Sequence, residues 1–277
     1  MRTILVPVDF SKHSEYALEV AASIAKKQDA EIVVVHMMGL SDFFLTKDEK
    51  QEVFNAIYFM KLTKQRFEKF LKKEYLKGIE VIQTVKTHTV FSEINEVASE
   101  YEADLIVMGS HGTAGVKEVF IGSNTEKVVR TANIPVLVIK ERMENFNIKN
   151  AVFVTDFDQE TFNSYISARK FFKLFNIQPQ LLFVNIPEKF LSTQEMTLKA
   201  KNFMTDVGMD TKKIKNKIVF YDDYTVEKGI FNYCMEAQID TIAISTHGRK
   251  GIGHFFYGSI GEDIANHASI PVVTFKI

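Results

Sequence analysis

The sequence predicts two doubly wound α/β domains in tandem, each a five-stranded parallel sheet with helices on both faces. Three observations predict it. The chain has 277 residues, long for one domain and comfortable for two of about 140, each able to bury its own core. It also repeats itself: the stretch 3–38 matches 151–187, "ADLIVMGSHG" matches "IDTIAISTHG", and "ANIPVLVIK" matches "ASIPVVTFK". Within each copy, short apolar runs alternate with amphipathic ones, the pattern of parallel strands covered by helices.

Each half opens on a β-branched run that ends in an aspartate, Asp9 or Asp156. A helix follows, with Tyr16, Ala17, Val20, Ala21 and Ile24 at helical spacing in the first copy and Tyr165, Ile166, Ala168, Phe172 and Phe175 in the second. The second strands close at Val35 and Val184, a matching that sets Thr155 against Pro7 and Asn185 against His36. The first half is longer through 46–78, a stretch that predicts one long helix. Phe67, Phe70 and Leu71 lie on its apolar face, and Lys61, Lys64, Lys69, Lys72 and Lys73 form its solvated face or a partner surface. Before it, Phe43 and Phe44 fall in a loop, either tucked over the core or serving as a lid or contact patch. Asp104 and Asp240 each lead into a strand that runs straight into a glycine loop, then a helix, then a last strand announced by Pro135 or Pro271. The domains are expected to be 1–142 and 149–277, joined through the polar segment "KERMENFNIKN". Right-handed crossovers put Asp9 and the glycine loop at the same carboxyl edge of the sheet, where such folds bind ligands.

Charge and cysteine content remove several function classes. Lys plus Arg (34) against Asp plus Glu (35) leaves no excess of positive charge to hold a nucleic acid. Cys234 is the single cysteine, so no intrachain disulfide forms, and no Cys/His group has zinc-ligand spacing. The opening "MRTILVPVDF" is too short for a signal segment, and no later apolar run is long enough to span a membrane. The expected localisation is cytoplasmic, with neither nucleic acid nor membrane as a partner.

The first glycine loop, "GSHGTAGVKEVFIGS", has the spacing G-x2-G-x9-G-S at Gly109, Gly112, Gly122 and Ser123. Glycines there admit close approach of a ligand to the backbone and allow φ > 0. Free N–H groups at the following helix start, with the hydroxyls of Ser123 and Thr125, attract anionic oxygens. This is a phosphate-binding design that matches neither the Walker pattern nor G-x-G-x-x-G. His111 and His247 occupy matching loop positions, where shaping the loop, touching a phosphate, facing solvent and taking part in chemistry are all open to them. Asp9 and Asp156 cap the next helix, contact a nucleotide, or do both.

These residues resemble the universal stress protein family, whose nucleotide-binding members carry G-x2-G-x9-G-S/T with an N-terminal "ILVPVDFS", a "DLIVMGSHG" strand and a closing "IPVLVI". The resemblance covers both halves. It implies Rossmann-like, adenine nucleotide alpha hydrolase-like domains and a stress-response regulator that binds ATP or AMP, with Mg2+ as an accompanying ion. The implied contacts are Pro7, Val8 and Asp9 after the first strand, and the backbone at Val35. On the loop side they are Met108, Gly109, His111, Gly112, Gly122, Ser123, Asn124 and Thr125. Two alternatives are kept: a slow ATPase or phosphotransferase, and a scaffold whose second domain is structural or takes another ligand. Phosphoryl transfer needs positioned metal ligands, and the sequence offers no dedicated carboxylate pair for them, which favours binding over turnover.

The second copy departs from the pattern, with Ser245 at the place of the first glycine while Gly248, Gly258 and Ser259 stay in register. A serine at φ > 0 costs on the order of 1 kcal/mol and crowds a ligand. With Asp156 and Val184, these residues are expected to form a weakened or retuned second site. Each half ends in a short apolar strand, 135–139 or 271–275, that forms a sheet edge. Single-domain members of the resembled family dimerise through this strand. The halves are therefore expected to pair as an intrachain pseudo-dimer, with any homodimer using other surfaces.

Overall fold

A computed structural model describes residues 1–38, 49–87, 94–110, 123–208, 217–246, 264–265 and 267–277. The chain divides into two compact units, with the main division between Phe146 and Asn147 and with Pro135–Leu137 grouped with the second.

Up to that main division β1 (Thr3–Pro7) leads through α1 (Lys12–Gln28), β2 (Glu31–Met38), α2 (Glu49–Phe70), β3 (Val81–Thr87), α3 (Ile94–Glu100), β4 (Leu105–Gly109) and α4 (Ser123–Thr131) to β5 (Val136–Ile139). The strand order is β3-β2-β1-β4-β5, with β1 parallel to both β2 and β4, and β2 parallel to β3. Every residue of β1 is buried, which is why its sequence is apolar without alternation. The order reverses between β1 and β4, the switch point at which a doubly wound sheet opens a crevice. α1 starts there because Ser11, in extended backbone, accepts the Ser14 N–H at 3.3 Å.

The second unit runs β6 (Ala151–Val154), α5 (Phe162–Lys173), β7 (Gln180–Asn185), α6 (Thr193–Asp206), β8 (Ile218–Asp222), α7 (Val226–Glu236), β9 (Thr241–Thr246) and β10 (Val272–Lys276). Its order is β10-β9-β6-β7-β8, all parallel. The repeat extends to single bonds. Asp104 accepts the Arg2 and Thr3 N–H groups at 2.5 and 3.3 Å, and Asp240 accepts those of Lys149 and Asn150 at 2.8 and 3.0 Å. In each unit this carboxylate ties the amino end of the first strand to the fourth.

Strand register corrects the residue matching between copies. Pro7 pairs with Val35 as Val154 pairs with Leu182, and Val8 N–H donates to the Val35 carbonyl (2.8 Å) as Thr155 N–H donates to Leu182 (3.0 Å). Thr155 therefore stands at the place of Val8, not Pro7. Phe183, not Asn185, answers His36, and Val184 answers Met37. An uninterrupted apolar run carries no marker of register, and only the ladder supplies one.

The stretch 46–78 does not form one helix, because α2 ends at Phe70. Lys73 turns to extended backbone (φ −130°), a 3-10 turn covers Glu74–Leu76, and Gly78 takes φ 80°. The departure brings Lys73 into an ion pair with Glu15 of α1 and buries Leu76. Phe67 and Phe70 are buried, while Lys61, Lys64, Lys69 and Lys72 are exposed. Phe43 and Phe44 lie outside the described residues. Among the described residues, no helix is long and apolar enough to cross a membrane.

Candidate functional site

The first unit brings the carboxyl ends of β1, β2 and β4 together with the start of α4. Beyond β1, Val8 is buried, and its carbonyl accepts from His36 Nδ1 at 2.7 Å, which places a proton on that nitrogen. Asp9 is exposed and accepts the Ser11 N–H at 2.9 Å. Partial burial works to raise the Asp9 carboxyl, but hydrogen bonds from Ser11 and Ser14 outweigh it and hold the group below the usual carboxylate range. Phe10 then adopts φ 63°, a left-handed conformation that is costly for a bulky residue. Its ring is held by His36, Phe67 and Phe70, at centroid distances of 4.6, 5.1 and 5.6 Å. α2 thus anchors the turn that leaves Asp9 at the crevice.

On β2, Ile32 N–H donates to Glu80 on the β3 side, whereas the Val35 carbonyl faces β1. In a parallel strand the N–H and C=O of one residue face the same neighbour, and successive residues alternate. Met37 is therefore the next residue turned toward β1, past the end of that strand at Pro7. The Val35 carbonyl is already engaged, so the peptide groups open to the crevice belong to Met37. The sequence reading missed it because "VVVHMM" does not reveal which residues face which neighbour.

On β4, Met108 is buried, and Gly109 has a reason other than the expected one. It does not lie in the left-handed region. A Cβ there would overlap the carbonyl of His13, so the glycine lets the start of α1 pack directly on the strand. Thr125, buried in the first turn of α4, donates to the Gly109 carbonyl at 3.2 Å and ties together the two sides of the loop. Between them Ser110 bonds through its N–H to Ile139 at 2.9 Å, while its buried hydroxyl has no hydrogen-bond partner among the described residues. Ser123 opens α4 and Asn124 is exposed. His111, Gly112 and Gly122 lie outside the described residues, as do His247, Gly248, Gly258 and Ser259.

The second unit repeats the turn but not its chemistry. Phe157 again adopts a left-handed φ, 61°, and Asp156 accepts the Asp158 N–H at 3.1 Å. Asp158 replaces the serine of the first copy, and its carboxylate pairs with Lys199 at 2.6 Å. Burial pushes Asp156 up to about 6. The neighbouring Asp158 carboxyl adds to the rise, while the Asp158 N–H and Lys199 oppose it. Phe183 stacks on Phe157 at 5.8 Å, and Val184 packs against Gly229 of α7, where no Cβ would fit. Ser245 lies in β9, not at φ > 0 as supposed, and its hydroxyl bonds that of Ser164 at 2.6 Å. The serine fills with a hydrogen bond a space that Gly109 leaves for backbone.

The model of the universal stress protein family matches residues 1–140 and 190–276. The chain belongs to the universal stress protein family. Its two Rossmann-like units each carry a matched segment, which fits a tandem member, although the second match begins only after β7. Universal stress protein MJ0531 of Methanocaldococcus jannaschii is 34% identical over 147 residues, covering 50% of this chain and 82% of that protein. Universal stress protein MJ0577 of the same organism is 28% identical over 160 residues, 51% of this chain and 96% of its own. A universal stress protein structure from Archaeoglobus fulgidus aligns over 99% of this chain and 98% of that one, with a TM-score of 0.70 and 20% identity, a likeness of fold alone.

Proposed function

We propose that the first unit of this universal stress protein binds an adenine nucleotide, ATP or AMP, and that the protein acts as a nucleotide-dependent stress-response regulator in the cytoplasm. One observation carries the reading. The carboxyl ends of β1, β2 and β4 bring the ionised Asp9, the Met37 backbone and a loop anchored by Thr125 on Gly109 to one edge of the sheet, with the Ser110 hydroxyl buried and unpartnered among the described residues. Asp9 would accept from the adenine amino group, with Pro7 and Val8 beside it and Met37 offering peptide groups to the ring edge. Gly112, Gly122 and the N–H groups that begin α4 at Ser123, Asn124 and Thr125 would take the phosphates. Ser110 gives an oxygen-rich ligand a further hydrogen-bonding group. With ATP, Mg2+ is the accompanying ion.

The second unit, in this proposal, does not take the same ligand. Its aspartate is half-buried beside a second carboxylate, an aromatic ring replaces His36, and the family match omits β6 and β7. The domain limits 1–142 and 149–277 belong to the proposal too. So does an intrachain pairing through 135–139 and 271–275, supported by the apolar edge that each copy repeats. Calorimetry with AMP and with ATP tests the central claim. One site per chain is expected; no binding at millimolar nucleotide would overturn it, and two equal sites would overturn the assignment to the first unit.

A further inference from the structure

An open cleft of about 910 Å3 lies at the carboxyl ends of β7 and β8 in the second unit. Buried Asn185 organises two of its sides. Its Nδ2 donates to the Leu191 carbonyl (3.2 Å) and to Asp222 Oδ1 (2.9 Å), and its Oδ1 accepts the Leu191 N–H (2.9 Å). One side chain thus fixes both the segment that carries Phe190 and the carboxylate of Asp222. Asp223 fixes the other wall, accepting the Tyr224 N–H at 2.6 Å and Asn232 Nδ2 at 2.8 Å. Walls held by their own hydrogen bonds make a preformed site.

Two properties of the lining select a ligand. Asp222 and Lys228 carry opposite charges in the same cleft, yet neither is ion-paired among the described residues, while the second carboxylate of the lining, Asp223, is already engaged by Tyr224 N–H and Asn232. Phe190 and Tyr224 are 69% and 78% exposed, large apolar surfaces facing water at the cleft. A simple cation would meet Lys228, and a simple anion would meet Asp222 and Asp223. A neutral ligand would cover both charges without compensating either.

We propose that this cleft binds a free amino acid with an aromatic or large apolar side chain. Its ammonium lies on Asp222, its carboxylate on Lys228 and its side chain against Phe190 and Tyr224. Asn232, one helical turn beyond Lys228 on α7, adds a hydrogen bond. The site does not rest on the nucleotide reading of the first unit. Calorimetry on the full chain with L-phenylalanine, 3-phenylpropionate and phenethylamine tests it. Saturable binding of L-phenylalanine is expected, with each analogue that lacks one charge weaker by about tenfold or more. Asp222→Asn and Lys228→Gln, both at exposed positions, should each weaken L-phenylalanine by about tenfold while the thermal melt stays in place. Absence of L-phenylalanine binding, equal binding of all three probes, or unchanged binding in both variants overturns the proposal.

Discussion

Asp9 and Asp156 occupy the same place in the two copies and titrate in opposite directions, because one is served by serine hydroxyl and amide donors and the other is partly buried beside a second carboxyl. The signs of their contributions to stability are therefore opposite. Asp156 has a folded value of about 6, above its ordinary 3.8, so the folded state holds the proton more tightly, and this contribution falls as pH rises through that window. Asp156→Asn should raise the urea midpoint at about pH 8, and the gain should vanish toward about pH 4. Asp9 is held low, so its contribution is present above the ordinary carboxylate value and lost as pH falls through the folded value. Asp9→Ala should lower the midpoint near neutrality, with a difference that shrinks in acid. Gly109→Ala forces a methyl into the His13 carbonyl and should cost ~1–3 kcal/mol in denaturant unfolding. Ser245→Gly should cost about 1 kcal/mol by removing the bond to Ser164, without creating a nucleotide site. The residue types at these positions were legible in the sequence. Their reasons were not, since neither the His13 carbonyl over Gly109 nor the Ser164 hydroxyl beside Ser245 is a neighbour along the chain.

At the scale of elements, alternating apolar runs and helical periodicities announced the strand and helix order of each unit, because burial on both faces writes itself into composition. Register and helix ends were hidden. The matching of Asn185 to His36 failed because a parallel ladder is set by pairing across the sheet, and α2 stops early because Lys73 and Leu76 find partners on and beside α1. The connecting segment shows the same limit. Its polar composition suggests a loose linker, but Arg142 donates to both oxygens of Glu19 on α1 at 2.8 and 3.1 Å. Lys27 also bonds the carbonyl of buried Phe146 at 2.9 Å. Arg142→Ala should speed limited proteolysis within 141–149 and leave far-ultraviolet circular dichroism unchanged; an unaltered cleavage rate would show that the clamp does not restrain the segment.

At the scale of the whole molecule, two units of one family and one proposed nucleotide site lead to a stoichiometric expectation. AMP should stabilise the chain by about 2.7 kcal/mol at about 100 times its dissociation constant, with one nucleotide per chain. The melt should show this as an upward shift, and Gly112→Val should abolish that shift by placing a branched side chain where, in the proposed site, backbone would meet phosphate. The left-handed phenylalanines after Asp9 and Asp156 carry a different implication. If the two units descend from one duplicated ancestor, each position has been free to drift on its own in two copies. Serine became aspartate at 158, histidine became phenylalanine at 183 and glycine became serine at 245, or the reverse, yet Phe10 and Phe157 kept both residue type and strained backbone. A feature that survives while its chemical surroundings are exchanged is inherited as architecture. Drift in this protein has a floor, and that floor is the aromatic hinge after the first strand: replacing either phenylalanine should damage folding of its unit, whichever ligand that unit serves.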